Sequence, residues 1–262
     1  MLELARYSAR RRLLGMLGLA VGLSAFSAMY AAFFPSLTGN LDLAEYVGAL
    51  PPVFVEAFGL RAFNTIEGFL ATELYQFAWV ILLGLYVAYS AASLVAGDVE
   101  SGRMDVLLSL PVSRARLVGE QFLSLAPGIV LVNVVVAAAT WVATRAIGHP
   151  VGAVDLAVVH ALSLPYLFAC AAIGLAFSVV AGRASVAQRG AAGTVFALFL
   201  LESLLTSTDY AWVGAVAPMR YFDPTAILVD GIYDVAGAAI LAVGTVVLVA
   251  VSQLYFRQTD VN

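Results

Sequence analysis

The sequence predicts an all-α membrane protein with six transmembrane helices. Hydrophobic residues make up 62% of the 262 residues and charged residues only 11%, and the mean hydropathy is +0.96. Six apolar runs are each long enough to cross about 30 Å of hydrocarbon as a helix. No stretch between them could form a soluble domain, so residues 1–262 predict a single transmembrane domain. The six runs are residues 13–34, 74–97, 121–144, 156–182, 190–207 and 235–256.

The beginning of the chain predicts a short basic helix over residues 1–12, lying at the cytoplasmic interface. Arg10, Arg11 and Arg12 would lie among the lipid headgroups there. The apolar run behind them is long and lacks a clean cleavage site. We therefore interpret it as a retained first span and not as a signal peptide.

The chain between the first two runs, residues 35–73, is polar and acidic and predicts an external segment. Within it, aromatic residues alternate with acids over residues 53–74, which is typical of an amphipathic helix at the outer leaflet. Because acids avoid anionic lipid, we expect this helix to contact the protein's own spans or a second subunit.

A short polar segment separates the second and third runs. Its apolar residues gather on one side at helical spacing, which predicts one amphipathic helix over residues 98–111, ended by Pro111. The pattern E-x-G-x-x-x-x-L-L-x-L-P-V-S-R runs from Glu100 to Arg114 and resembles the signature between the second and third spans of ABC-2 type permeases. An ordinary amphipathic helix lying on lipid headgroups is the alternative.

The resemblance implies a coupling helix that docks into a separate ATPase subunit on the cytoplasmic face. It also implies two copies of that ATPase and a second permease subunit, in a homodimer or a heterodimer within the lipid bilayer, with no nucleic acid involved. Most members of the family export, so we expect an exporter. The residues that match or flank the motif, and that we expect to couple to the ATPase, are Glu100, Gly102, Arg103, Leu107, Leu108, Pro111, Ser113 and Arg114.

The basic residues bear on both energy supply and orientation. All thirteen are arginines, so the chain lacks the lysine that a Walker A loop requires. We expect no enzyme activity and no cofactor in this chain; ATP and Mg²⁺ would belong to the partner ATPase. Ten arginines fall on one side of the six spans and three on the other, which predicts cytoplasmic termini in a multi-pass protein of the cell membrane.

Two polar residues within the apolar runs are candidates for a translocation path, Asn133 and Glu202. A carboxylate in the bilayer costs several kcal/mol unless it is paired, protonated or hydrated. Glu202 could line the path, pair with Arg145 or Arg220, or lie near the outer interface. An alternative function is a proton-coupled secondary transporter that uses Glu202 as its carrier, although the inverted repeats typical of that class are not evident.

Two further elements have local signals. Pro127 predicts a kink near the cytoplasmic start of the third span, because proline removes a backbone donor. Residues 208–234, which contain the sequence Y-F-D-P, predict a re-entrant or amphipathic pair of short external helices before the sixth span.

Overall fold

The computed structural model describes residues 3–40, 43–51, 54–55, 60, 62–109 and 112–258. Regular structure within these ranges is helical throughout, without strands. Six helices are long and apolar enough to cross a membrane, which confirms the predicted all-α membrane fold. These six spans, first to sixth, are Ala5–Gly39, Ile66–Ala91, Arg114–Ala146, Ala153–Val180, Ala184–Leu205 and Val235–Gln258.

The first span belongs to a continuous helix, Glu3–Asn40. The predicted interfacial helix over residues 1–12 is therefore not a separate element, because its arginines and leucines are good helix formers and no breaker follows them. At 1.5 Å per residue, these 38 residues extend about 57 Å, which is longer than the hydrocarbon core. The basic N-terminal turns can therefore lie outside the apolar layer while remaining in the same helix.

The second span begins at Ile66, eight residues before the apolar run. Thr65 starts the helix, since its hydroxyl accepts a hydrogen bond from the backbone N–H of Gly68 at 3.1 Å. The helix has ordinary α geometry at both ends and wide π geometry in the middle. Its three parts are Ile66–Leu70, the π-helical Ala71–Leu83, and Gly84–Ala91.

The amphipathic helix predicted over residues 53–74 lies partly outside the described residues. Its described C-terminal part does not lie along the outer leaflet, because it forms the beginning of the second span. Phe69 is buried there and its ring lies 5.7 Å from that of Tyr30 and 5.6 Å from that of Phe34. The expected contact with the protein's own spans is thus made to the first span.

The third span consists of two helices, Arg114–Leu123 and Ala126–Ala146. A turn at residues 124–125 separates them, and Pro127 lies in the first turn of the second helix. A proline is tolerated there because the first N–H groups of a helix have no intrahelical acceptor. The helix is thus interrupted two residues before Pro127, and a kink caused by the proline itself stays a prediction.

The second and fourth spans form the centre of the molecule. More than half of the most apolar window of each is buried, compared with 22% for the fifth and sixth spans. Gly174 allows the close approach of the two central helices, since a Cβ at this position would lie 2.2 Å from the carbonyl oxygen of Ala88. By contrast, a Cβ at Gly18 or Gly22 in the first span would meet nothing within 4 Å.

The segment between the fifth and sixth spans folds into three short helical turns, where the sequence predicts a pair of short helices, and their external position stays a prediction. Asp223 begins the last of them, because its carboxylate accepts hydrogen bonds from the N–H groups of Thr225 at 2.8 Å and Ala226 at 3.0 Å. Phe222 is buried and stacks on Tyr166 of the fourth span. The turns are two 3₁₀ helices, Ala211–Val216 and Pro218–Tyr221, and one α-helix, Pro224–Leu228.

Candidate functional site

The coupling segment, residues 96–114, contains two short helices where the sequence predicts one. They are Ala96–Glu100 and Arg103–Leu108. Gly102 separates them with a φ of 70°, a left-handed conformation that is unfavourable for residues with a Cβ. The predicted continuous helix over residues 98–111 is therefore wrong, and the glycine of the motif marks the turn between the two helices.

The second short helix has one face towards the protein and one towards the surroundings. Met104 is fully buried, and Leu107 packs against the core from a partly buried position. Arg103 and Val106 lie on the exposed face, with 67% of Val106 accessible. Val106 is an apolar side chain next to the exposed charges of Arg103 and Asp105. Burying it in a contact with another protein would remove apolar surface from water.

The end of the motif initiates the third span. Ser113 caps the helix that begins at Arg114, since its hydroxyl accepts the N–H of Arg116 at 3.3 Å. Leu108 is the last residue of the second short helix, but its side chain, like Pro111 as a whole, lies outside the described residues. A role for these two residues in coupling stays a prediction.

Asp98 connects the coupling segment to the third span. The side-chain amide of Gln121 donates to Oδ2 at 2.6 Å, and the Arg103 guanidinium lies 2.7 Å from Oδ1. Burial raises the pKa of the Asp98 carboxyl, while the charges of Arg12 and Arg11 and the Gln121 hydrogen bond act in the opposite direction. Each carboxylate oxygen of Asp98 thus has a donor, the Gln121 amide for Oδ2 and the Arg103 guanidinium for Oδ1.

Two further connections hold the segment to the fourth and fifth spans. The Ser178 hydroxyl accepts the N–H groups of Val95 at 2.9 Å and Ala96 at 3.1 Å. Glu100 Oε2 accepts the N–H of Ala184 at 3.0 Å, where a carboxylate is favoured by the N-terminus of the fifth span. The motif predicts a role of Glu100 in coupling to the ATPase; in the folded chain its carboxylate contacts the fifth span.

Gln121 and Ser178 were not identified as functional residues from the sequence. Each is a polar residue near the end of an apolar span, and this is the signal that would have singled them out. Their partners are 23 and 83 residues away in the sequence. Spacing alone could not pair them.

Asn133 belongs to a buried hydrogen-bond network between spans. Its side-chain nitrogen donates to the carbonyl of Ile129 at 3.0 Å, which fixes the orientation of the amide because that carbonyl can only accept. Its oxygen therefore accepts from Ser163 at 2.8 Å and from Nδ1 of His160 at 3.1 Å. His160 Nε2 is then free to accept the hydroxyl proton of Tyr75, at 2.9 Å.

A separate pair of hydroxyl groups joins the third span to the first span. Oγ1 of Thr140 lies 2.7 Å from Oγ of Ser27. The first four spans are thus linked through polar atoms inside the membrane. A place for Asn133 on a translocation path remains a prediction, and these contacts give its amide a packing role.

Glu202 is buried against the turns between the fifth and sixth spans. Its Oε2 lies 3.6 Å from a guanidinium nitrogen of Arg220, whereas Arg145 lies over the ring of Trp141. Gly214 leaves the space for the carboxylate, since a Cβ there would lie 1.7 Å from Oε2. Of the two pairings that the sequence allowed, the one with Arg220 forms.

The candidate residues within the membrane do not meet at one place. Across the described ranges, no hydrogen bond or ion pair connects Glu202 with Asn133. Asn133 interacts with the fourth span, whereas Glu202 interacts with the turns after the fifth span. If both residues act in transport, they act at separate positions.

Six apolar spans, with a polar segment between the second and third that is hydrogen-bonded to the third, fourth and fifth, define an integral membrane protein with several spans. The family model described as ABC-2 family transporter protein matches residues 15–261, and the chain belongs to this family. It is therefore the membrane permease of an ABC transporter, a class that works with an ATPase partner. The predicted resemblance is confirmed. A comparison with curated proteins found no match.

Proposed function

We propose that this permease exports its substrate and that the coupling segment transmits the movement of the ATPase to the spans. The observation that carries the proposal is that this one segment is hydrogen-bonded to three spans. Its partners there are Gln121 of the third span, Ser178 of the fourth and Ala184 of the fifth. A displacement of the two short helices would act on all three spans together. Hydrogen bonds to charged groups, such as those of Asp98 and Glu100, contribute about 1.5–3 kcal/mol each, and the neutral bonds to Ser178 about 0.5–1.5 kcal/mol each. Together they favour movement of the segment and the spans as a unit.

In the proposed assembly, two ATPase subunits bind ATP and Mg²⁺ and contact a pair of permeases. The exposed face around Val106 would be buried in the ATPase, while the opposite face stays packed against the permease. The arginine distribution supports a cytoplasmic position for this segment and for both termini in the cell membrane. Closure of the ATPase pair would then alternate access to a cavity between the permeases.

Two variants distinguish binding of the ATPase to the coupling segment from transmission of its movement to the spans. Val106→Asp should weaken co-purification with the ATPase, because it places a charge in the apolar contact. Glu100→Ala should leave co-purification intact but lower ATP-driven transport in proteoliposomes, because the N–H of Ala184 loses its acceptor. Asp105→Ala changes an exposed acid of the same segment and serves as the control.

Each outcome bears on the proposal. Normal transport in Glu100→Ala would show that the contact with the fifth span transmits nothing. Unchanged co-purification in Val106→Asp would exclude this face as the docking surface. Efflux driven by ATP distinguishes export from uptake in the same vesicles.

A proton-coupled transporter that uses Glu202 has less support. The chain belongs to a family of ATP-driven transporters, and the Glu202 carboxylate has an ion-pair partner, since its Oε2 lies 3.6 Å from a guanidinium nitrogen of Arg220. Substrate movement driven by a proton gradient in proteoliposomes without the ATPase, and abolished by Glu202→Gln, would reverse this conclusion.

A further inference from the structure

A positively charged cavity lies between the coupling segment and the first turns of the first span. Its volume is about 450 Å³, and its charged lining consists of Arg11, Arg12, Arg103 and Asp98. Three guanidinium groups and one carboxylate leave a net charge of +2. The cavity therefore attracts anions.

The carboxylate of Asp98 does not neutralise the positive charge of Arg11 and Arg12. Its two oxygens are engaged by Arg103 and Gln121, and it acts on Arg12 and Arg11 through the longer-range electrostatic field. Among the described residues, neither Arg11 nor Arg12 forms a close ion pair. Two neighbouring guanidinium groups thus have donors available, and their planar, forked geometry matches a phosphate.

A second feature indicates that the anion carries an apolar tail. The helix continues from Arg12 into the first span, where Leu13 and Leu17 are 40% and 44% accessible. Exposed apolar side chains of a span contact acyl chains in a bilayer. A free anion would use only the cavity.

We propose that Arg11 and Arg12 bind the phosphate of an anionic phospholipid whose acyl chain lies along the exposed Leu13 and Leu17 of the first span. These arginines immediately precede the apolar part of the first span, at the height where headgroups lie. The bound lipid fills the space between the coupling segment and the first span. The lipid would belong to the cytoplasmic leaflet if the proposed orientation of the permease is correct. Its binding does not require the ATPase.

The experiment uses the purified full-length permease alone, without the ATPase. Phosphatidylglycerol is titrated in detergent, and bound lipid is counted by native mass spectrometry. Arg11→Gln/Arg12→Gln should bind it roughly 30-fold more weakly, the loss expected for two cations near an anionic headgroup. Arg6→Gln/Arg10→Gln removes the same charge from exposed positions of the same helix outside the cavity and should bind like the wild type.

A second pair of variants keeps both arginines. Ser93 lines the cavity, so Ser93→Asp adds a repelling carboxylate there, while Ser93→Asn adds a neutral group of the same shape. The proposal expects weaker binding only in Ser93→Asp. Equal effects of the two substitutions, or of the two arginine pairs, would overturn it.

The source of the phosphate is tested by competition. Glycerol 3-phosphate and inorganic phosphate carry the anion without acyl chains and should displace the lipid only at concentrations at least a hundredfold higher. Displacement at equal concentration would identify a site for free anions and overturn the assignment to lipid. A wild-type protein that retains no phosphatidylglycerol would also overturn it.

Discussion

Replacement of Asn133 by leucine tests whether the buried network holds the spans together. The substitution removes the acceptor of the His160 Nδ1 proton, while Ser163 keeps its bond to the backbone carbonyl of residue 160 at 2.8 Å. If the imidazole changes tautomer, the proton moves to Nε2 and Nδ1 becomes an acceptor without a donor. One buried polar atom is unsatisfied in either case.

The expected cost follows from this single unsatisfied atom. Leaving one buried polar group without a partner costs about 1–3 kcal/mol in soluble proteins. Hydrogen bonds between membrane spans average about 0.6 kcal/mol, with a maximum near 1.7. We therefore expect Asn133→Leu to lower the free energy of unfolding by about 1–2 kcal/mol.

The measurement is equilibrium unfolding of the purified permease in sodium dodecyl sulfate, followed by circular dichroism. Val134→Leu changes a neighbouring side chain that is 61% exposed and should have no effect. In a double-mutant cycle, Asn133→Leu and His160→Phe should be less than additive, because either substitution alone already removes the hydrogen bond between the two residues. Unchanged stability with altered transport would instead place Asn133 on a translocation path, and strictly additive effects would refute the direct interaction.

Two further predictions concern packing and the buried carboxylate. Gly174→Val should destabilise the permease by about 1–3 kcal/mol in the same assay, because the side chain would clash with the backbone of the second span. Gly244→Val, at a position with open space, should have little effect, and equal losses would contradict the proposed close approach. Glu202→Gln and Arg220→Gln should be non-additive by about 1 kcal/mol in a double-mutant cycle, whereas simple additivity would show that the pair does not interact.

The candidate site was predicted less completely than the spans. The motif from Glu100 to Arg114 marks the position of the coupling segment. In the structure, its Ser113 caps a helix and its Gly102 forms a left-handed turn. The sequence indicated a single helix because apolar spacing reports which side is buried and does not report backbone direction at a glycine. It also marked Asn133 and Glu202 as unusual, without indicating which groups would satisfy them.

The amino-acid sequence by itself determined the number of spans and the membrane class. Insertion of a span into a bilayer depends on hydropathy summed over about 20 consecutive residues, which is a local property. Only the tertiary structure decided which polar atoms meet, as between Asp98 and Gln121, Glu100 and Ala184, or Asn133 and His160. Those contacts depend on the rotation and height of neighbouring helices, which are set by close packing such as that at Gly174.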